Sequence, residues 1–269
     1  GLPVTLQRYP LPMGSYIAVA QGRSREVPVP FVLRRNGTFL GSVDVRLLTR
    51  LHEGFVLVPG GEFLAGGDPR ATTPNPLRTE TLPSFGMQRV HVTNEDYLFY
   101  LNSCRTKGLS VAEVEEALLP KHSEKFPKWP LVQDKFWLPP GVHPRQPVRF
   151  VTHLQATSYA QWFSHLTGKR FRLPLFLELL KAACGADGRL FPSGNFADPS
   201  ATNSWDSTRP EDRGLAPVGK GVPSIYGIFG LAGGVFCWLA DVLEDAPQHA
   251  LVGGGCFTQN ASENSPRHS

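Results

Sequence analysis

No apolar stretch in this chain reaches the roughly 20 residues a membrane helix requires; 228–231 and 235–240 are short apolar runs, and the latter, the longest without glycine, holds six. A membrane span is therefore not expected. CxxC spacing is missing too, since Cys104, Cys184, Cys237 and Cys256 stand far apart. That excludes a cysteine zinc site and a dense disulfide framework. It leaves four buried or idle thiols, with one disulfide as the alternative. No run of five like charges occurs and the net charge is only +4, so nucleic acid is not an expected partner. Residues 1–9 lack a charged-then-apolar leader, and internal repeats are absent. The expectation is a soluble protein, cytoplasmic or displayed at a cell surface.

Glycine (27) and proline (25) make up close to a fifth of the 269 residues, without a collagen-like period. Such a composition favours short strands joined by long loops. Alternation over 15–20, 27–33 and 41–47, with turn signals at Gly22, Asn36-Gly37 and Gly41, predicts a small β module in residues 1–50. Two apolar runs around Pro59-Gly60-Gly61 predict a hairpin opening the main domain, 54–269. Thr93 and Ser110 cap predicted helices, a third spans about 154–166 before Gly168, and a fourth runs from Pro174 to Cys184. The Leu175-Phe-Leu-Glu-Leu-Leu stretch of that last helix is apolar enough to be core.

A series of motifs then falls in one order: Val56-Leu-Val-Pro-Gly-Gly-Glu-Phe-Leu-Ala-Gly, Val92-Thr-Asn-Glu-Asp-Tyr, Pro147-Val, Phe171-Arg-Leu-Pro, Phe191-Pro-Ser-Gly-Asn, Ala216-Pro-Val-Gly, Tyr226-Gly-Ile-Phe-Gly-Leu-Ala-Gly-Gly-Val-Phe-Cys-Trp and Val252-Gly-Gly-Gly. Over residues 54–265 this order resembles the formylglycine-generating-enzyme (sulfatase-modifying) family. The resemblance implies an α+β, loop-rich, C-type lectin-like fold, here with the small N-terminal β module appended. Trp162, Phe171, Leu173, Tyr226 and Trp238 match its buried anchors. The chain stops before the Gly-Phe-Arg strand with which the family closes.

Enzymes of this family oxidise a substrate cysteine with copper on two cysteines that follow an Arg-Gly-Gly-Ser segment. Here the segment reads Gly253-Gly-Gly-Cys-Phe, and 258–264 contains no cysteine. One thiol cannot supply the linear dithiolate that suits Cu(I). The resemblance therefore leads to the expectation that the chain is not an enzyme and carries no cofactor. A histidine iron site, as in other branches, finds no spaced set: His153 and His165 sit at opposite ends of one helix, and His122, His143 and His249 fall in loops. Calcium is an open reading at Asn203, Ser204, Asp212 and Gly214, which resemble the family's first calcium site with shorter spacing. The second site loses its amide and carboxylate at Gly233-Gly-Val-Phe-Cys-Trp.

Departures from the family concentrate at Gly234, Phe236, Cys237, Cys256 and Phe257, followed by Thr258, Asn260, Ser262, Asn264, Arg267 and His268. These residue types suit a ligand-binding face, with phenylalanines as anchors and small polar groups as adaptable contacts. They are also compatible with the diversified positions of the variable proteins of diversity-generating retroelements, bacterial or phage. A non-catalytic binder of an unknown protein or surface ligand is thus the sequence's first reading. A diverged formylglycine-generating-type or iron-dependent oxidoreductase, or a regulatory domain of a signalling protein, is the alternative.

Overall fold

The computed structural model describes residues 10–21, 26–35, 37, 39, 43, 45–70, 76–121, 126–207, 214–243 and 246–266. Strands β1 (Gly14–Gln21) and β2 (Glu26–Leu33) pair antiparallel, Gly14 opposite Leu33 and Gln21 opposite Glu26. Val27 and Val29 of β2 are buried, whereas Ile17 and Val19 face solvent. The third strand expected over 41–47 is corrected: Val45–Arg50 forms a helix, α1, while 41, 42 and 44 lie outside the described residues. Leu47 and Leu48 are adjacent rather than alternating, which suits a helical turn better than a half-buried strand. Asn36 also lies outside the described residues.

The predicted hairpin around Pro59 needs correction as well. Both runs are strands, β3 (Phe55–Val58) and β4 (Gly61–Ala65), but they do not pair with each other. β4 takes β5 (Arg78–Leu82), and β3 takes β6 (Phe85–Gln88). The corner between β3 and β4 is pinned to the later chain. Gly60 donates its N–H to Ser84 Oγ at 2.8 Å, and a Cβ on Gly60 would lie 2.8 Å from the Ser84 nitrogen. Only a glycine lets the two segments approach this closely.

The helices follow their caps. α2 (Asn94–Thr106) starts at Thr93 and α3 (Val111–Ala117) at Ser110, each with a reciprocal capping box to a carboxylate three residues on. α4 (His153–Thr167) uses Thr152 with Gln155 and ends on left-handed Gly168. After α5 (Phe176–Cys184) come long irregular segments, then the antiparallel pair β9 (Cys237–Leu243) and β10 (Ala246–Gly253). A short pair, β7 (Leu131–Val132) and β8 (Lys135–Phe136), is placed between α3 and α4 in the chain.

Two cores result. Leu179 and Leu180 of α5 pack with Val58, Phe63, Tyr226, Ile228 and Leu239, so the apolar helix is interior. Tyr97, Leu101, Val114, Phe136 and Trp162 form the second, around α2 and α4. Of the expected anchors, Trp162 and Tyr226 are buried, while Phe171, Leu173 and Trp238 are half-buried. None of the four cysteines is joined in a disulfide.

Candidate functional site

Ala156, Tyr159, Ala160 and Phe163 recur at three- and four-residue steps along α4, so one helix face turns toward an apolar cavity of about 410 Å3. The two alanines leave the space. Phe55 of β3, Phe171 and Leu173 before α5, and Val148 and Val151 before α4 line the rest of the apolar wall. A volume of this size suits a small molecule or one large side chain.

His91 and Cys237 meet in that wall. Cys237 Sγ lies 3.5 Å from His91 Nδ1, and His91 Nε2 lies 3.0 Å from the Gly230 carbonyl oxygen. A carbonyl only accepts, so Nε2 carries the hydrogen and Nδ1 is left to receive the thiol proton. Gly230 permits the approach: its φ is +76, and a Cβ there would lie 2.7 Å from His91 Nε2. Burial works against the charged imidazolium, but the sulfur of Cys237 and the Gly230 carbonyl outweigh it and raise the His91 pKa above its ordinary value.

Arg172 and Glu178, also in the wall, form a forked pair at 2.8 and 2.7 Å, and the Leu175 N–H adds a third bond to the carboxylate at 2.9 Å. Burial pushes the Glu178 carboxyl up. The Arg172 fork and the Leu175 amide prevail and hold it below the usual carboxylate range. Next to the cavity residues Val148 and Val151, Arg149 lies over three rings, 5.4 Å from Phe126, 5.0 Å from Phe150 and 5.6 Å from Phe257. Phe150 sits at φ 62, a left-handed conformation uncommon for an aromatic residue. Burial lowers the Arg149 pKa, opposed in part by Cys256.

Residues of the sequence-predicted face are partly brought together. Phe257 donates its N–H to the Gly234 carbonyl at 2.8 Å, and Gly234 donates to the Asn203 carbonyl at 2.9 Å. Thr258, Asn260 and Ser262 are exposed beside this junction, Phe257 is half-buried, and Cys256 Sγ sits 3.2 Å from Thr258 Oγ1. Phe236, 43% exposed, and Cys237 line the cavity instead of the 256–262 loop. Two members depart from the expected exposure. Asn264 is fully buried because its side-chain oxygen accepts the Cys256 N–H at 2.7 Å in a corner where Gly255 has no side chain to obstruct it. Gly234 is buried against Asn203. Arg267 and His268 lie outside the described residues.

At the calcium reading, Asn203 Nδ2 donates to the Gly214 carbonyl at 2.7 Å, joining two of the proposed ligands to each other. Ser204 bonds Thr202 at 3.1 Å, and Asp212 lies outside the described residues. Copper, which the family resemblance implies, does not fit the donor set, because Cys256 has no second thiol in 258–264. His153 donates to the Leu239 carbonyl at 3.0 Å, His143 accepts from the Arg145 N–H at 3.1 Å, and His165 and His249 are exposed. His122 lies outside the described residues. Among the described residues, no three His, Cys, Asp or Glu side chains gather as a metal ion would need, and no helix is long and apolar enough to cross a membrane.

A family model described as sulfatase-modifying factor enzyme 1-like domain matches residues 45–269. The chain belongs to that family. Similar members include a formylglycine-generating enzyme of Thermomonospora curvata, 30% identical with 70% of this chain and 71% of that protein covered. The inactive C-alpha-formylglycine-generating enzyme 2 of Mus musculus is 28% identical over 79% of this chain and 77% of its own. Hercynine oxygenase of Mycolicibacterium smegmatis is 31% identical over 71% of this chain and 46% of its own. Among solved structures, PvdO from Pseudomonas aeruginosa superposes with a TM-score of 0.60 at 21% identity, covering 80% of this chain and 86% of that one. The mixed α+β fold of the sulfatase-modifying family is therefore the fold of this chain.

These relatives correct one expectation, that the chain is not an enzyme. Relatives about 30% identical are named as enzymes, an oxygenase among them. Another relative, 28% identical, is named inactive. His91 escaped the sequence reading although it immediately precedes the motif that opens at Val92. Nothing in the sequence distinguishes Arg149 from any other arginine, because its rings come from three separate segments.

Proposed function

We infer that the chain is a diverged enzyme of the formylglycine-generating type whose substrate presents an apolar group to the cavity between α4, β3 and the start of β9. The observation that carries this reading is the apolar cavity of about 410 Å3 with a thiol and an imidazole in its wall. Enzyme sites combine apolar enclosure with a few convergent polar groups, and this cavity has that composition. The named enzymes among the relatives support it. Residues 1–50 are then an accessory β module and 54–269 the substrate-binding domain. Methyl-resolved NMR titration with indole tests the reading. Saturable shifts at Val148, Val151, Leu173 and Ile228 are expected; shifts scattered over the surface, or none, count against it.

A second reading is favoured by the bond between Phe257 and Gly234, which sets exposed Thr258, Asn260 and Ser262 beside the aromatic-flanked Arg149. Such a surface resembles a paratope and would take a protein or surface ligand. Diversification of these positions, as in retroelement variable proteins, predicts a reverse transcriptase gene and a near-copy of the 3′ coding segment nearby. A genomic neighbourhood without them removes that version.

A further inference from the structure

The pair His91–Cys237 has the parts of a nucleophile and its base, placed where a bound apolar group would lie. We propose that Cys237 is a catalytic nucleophile activated by His91, and that it accepts the acyl group of an ester or thioester whose apolar acyl part occupies the cavity. This rests on the reading of the cavity as a substrate site.

Three observations converge on the assignment. The thiol and the imidazole are 3.5 Å apart, and Nδ1 is the nitrogen left without a hydrogen because Nε2 is committed to the Gly230 carbonyl at 3.0 Å. That carbonyl fixes tautomer and ring orientation, the task of the third member of a nucleophile–base–orienter set. Gly230, at φ +76 and too close to His91 for a side chain, is a positioning residue for the base. Finally, Cys237 is half-buried and lines the cavity itself, beside the space a ligand would fill. Cys104 and Cys184, by contrast, are buried and do not line it.

The chemistry balances without an oxidant or metal. The Cys237 S–H proton passes to His91 Nδ1 as the sulfur forms a bond to the carbonyl carbon. The addition intermediate then collapses, breaking the bond to the leaving oxygen or sulfur, which takes the proton from His91. The products are an S-acyl Cys237 and a free alcohol or thiol. Water, deprotonated by His91, next releases the carboxylic acid, and the thiol is restored.

The test uses 4-nitrophenyl hexanoate and the whole chain. Expected are a burst of about one equivalent of nitrophenol and a hexanoyl mass gain on the Cys237 peptide, with Cys256 far slower. Cys237→Ser abolishes the burst. His91→Ala slows it by roughly 100-fold or more, with partial recovery on adding imidazole, which a purely structural histidine would not give. Acylation of Cys237 no faster than that of Cys256 in the unaltered chain overturns the proposal, and this comparison needs no variant to fold. Indole binding separates the two readings: binding without Cys237 acylation ends the nucleophile alone, whereas no indole binding ends the cavity reading.

Discussion

The backbone N–H of Phe257 donates to the carbonyl of Gly234 at 2.8 Å, so the loop that carries Thr258 and Asn260 is tied to the segment leading into β9. The tie is made by main chain, and the exposed side chains of Thr258 and Asn260 take no part in that bond. Thr258→Ala with Asn260→Ala is therefore expected to move the melting temperature by no more than a few degrees. Differential scanning calorimetry checks this. A drop of ten degrees or more would mean that the loop is held by these side chains.

Gly255 is a different matter. A methyl group there would overlap the Gly233 nitrogen and the Asn264 side chain, both fixed in a buried corner. Gly255→Ala should cost on the order of 1–3 kcal/mol, the range for forced overpacking, read from urea denaturation. An unchanged midpoint would show that the corner has slack.

Trp162 fills the second core, tilted against Tyr100 and Tyr159 at 5.0 and 5.5 Å between ring centroids. Trp162→Ala should destabilise by about 3–5 kcal/mol. A loss under about 1 kcal/mol in chemical denaturation would place this ring outside the core.

Lys181 gives a pH dependence. Its ammonium is buried, donating to the Gly61 carbonyl at 2.8 Å, and burial pulls its pKa from 10.5 down to about 8. The folded state releases this proton near pH 8, the unfolded chain near 10.5. Between those values the unfolded state binds more protons, so the Lys181 contribution makes stability rise with pH. Lys181→Met should flatten that rise. Equal slopes for both proteins between about pH 8 and 10 would show that the ammonium is solvated.

What the sequence disclosed was what local chemistry encodes. Thr93, Ser110 and Gly168 mark helix ends by side-chain capping or a left-handed backbone, and the structure puts the ends there. Pairing partners were less legible. β3 pairs across a long loop with β6, Phe55 opposite Gln88 and Val58 opposite Phe85, with the Gly60–Ser84 contact beside the pairing, whereas sequence proximity favours β4. The site was harder still. In the sequence Cys237 is a departure from a family pattern, but its meaning depends on His91, which lies 146 positions away. Asn264 read as a surface group because amides usually are; only the Gly255 corner turns it inward.

Binding of an apolar group in the cavity lined by α4 is tested most directly at Ala160. Ala160→Phe puts a ring into the space the alanine leaves open while keeping the helix. Calorimetric titration with indole should give one saturable site in the unaltered chain and binding weakened at least about 10-fold, or roughly 1.4 kcal/mol, in the variant. Equal affinity in both proteins would mean that indole binds elsewhere, and the account of the cavity as the substrate site would be contradicted.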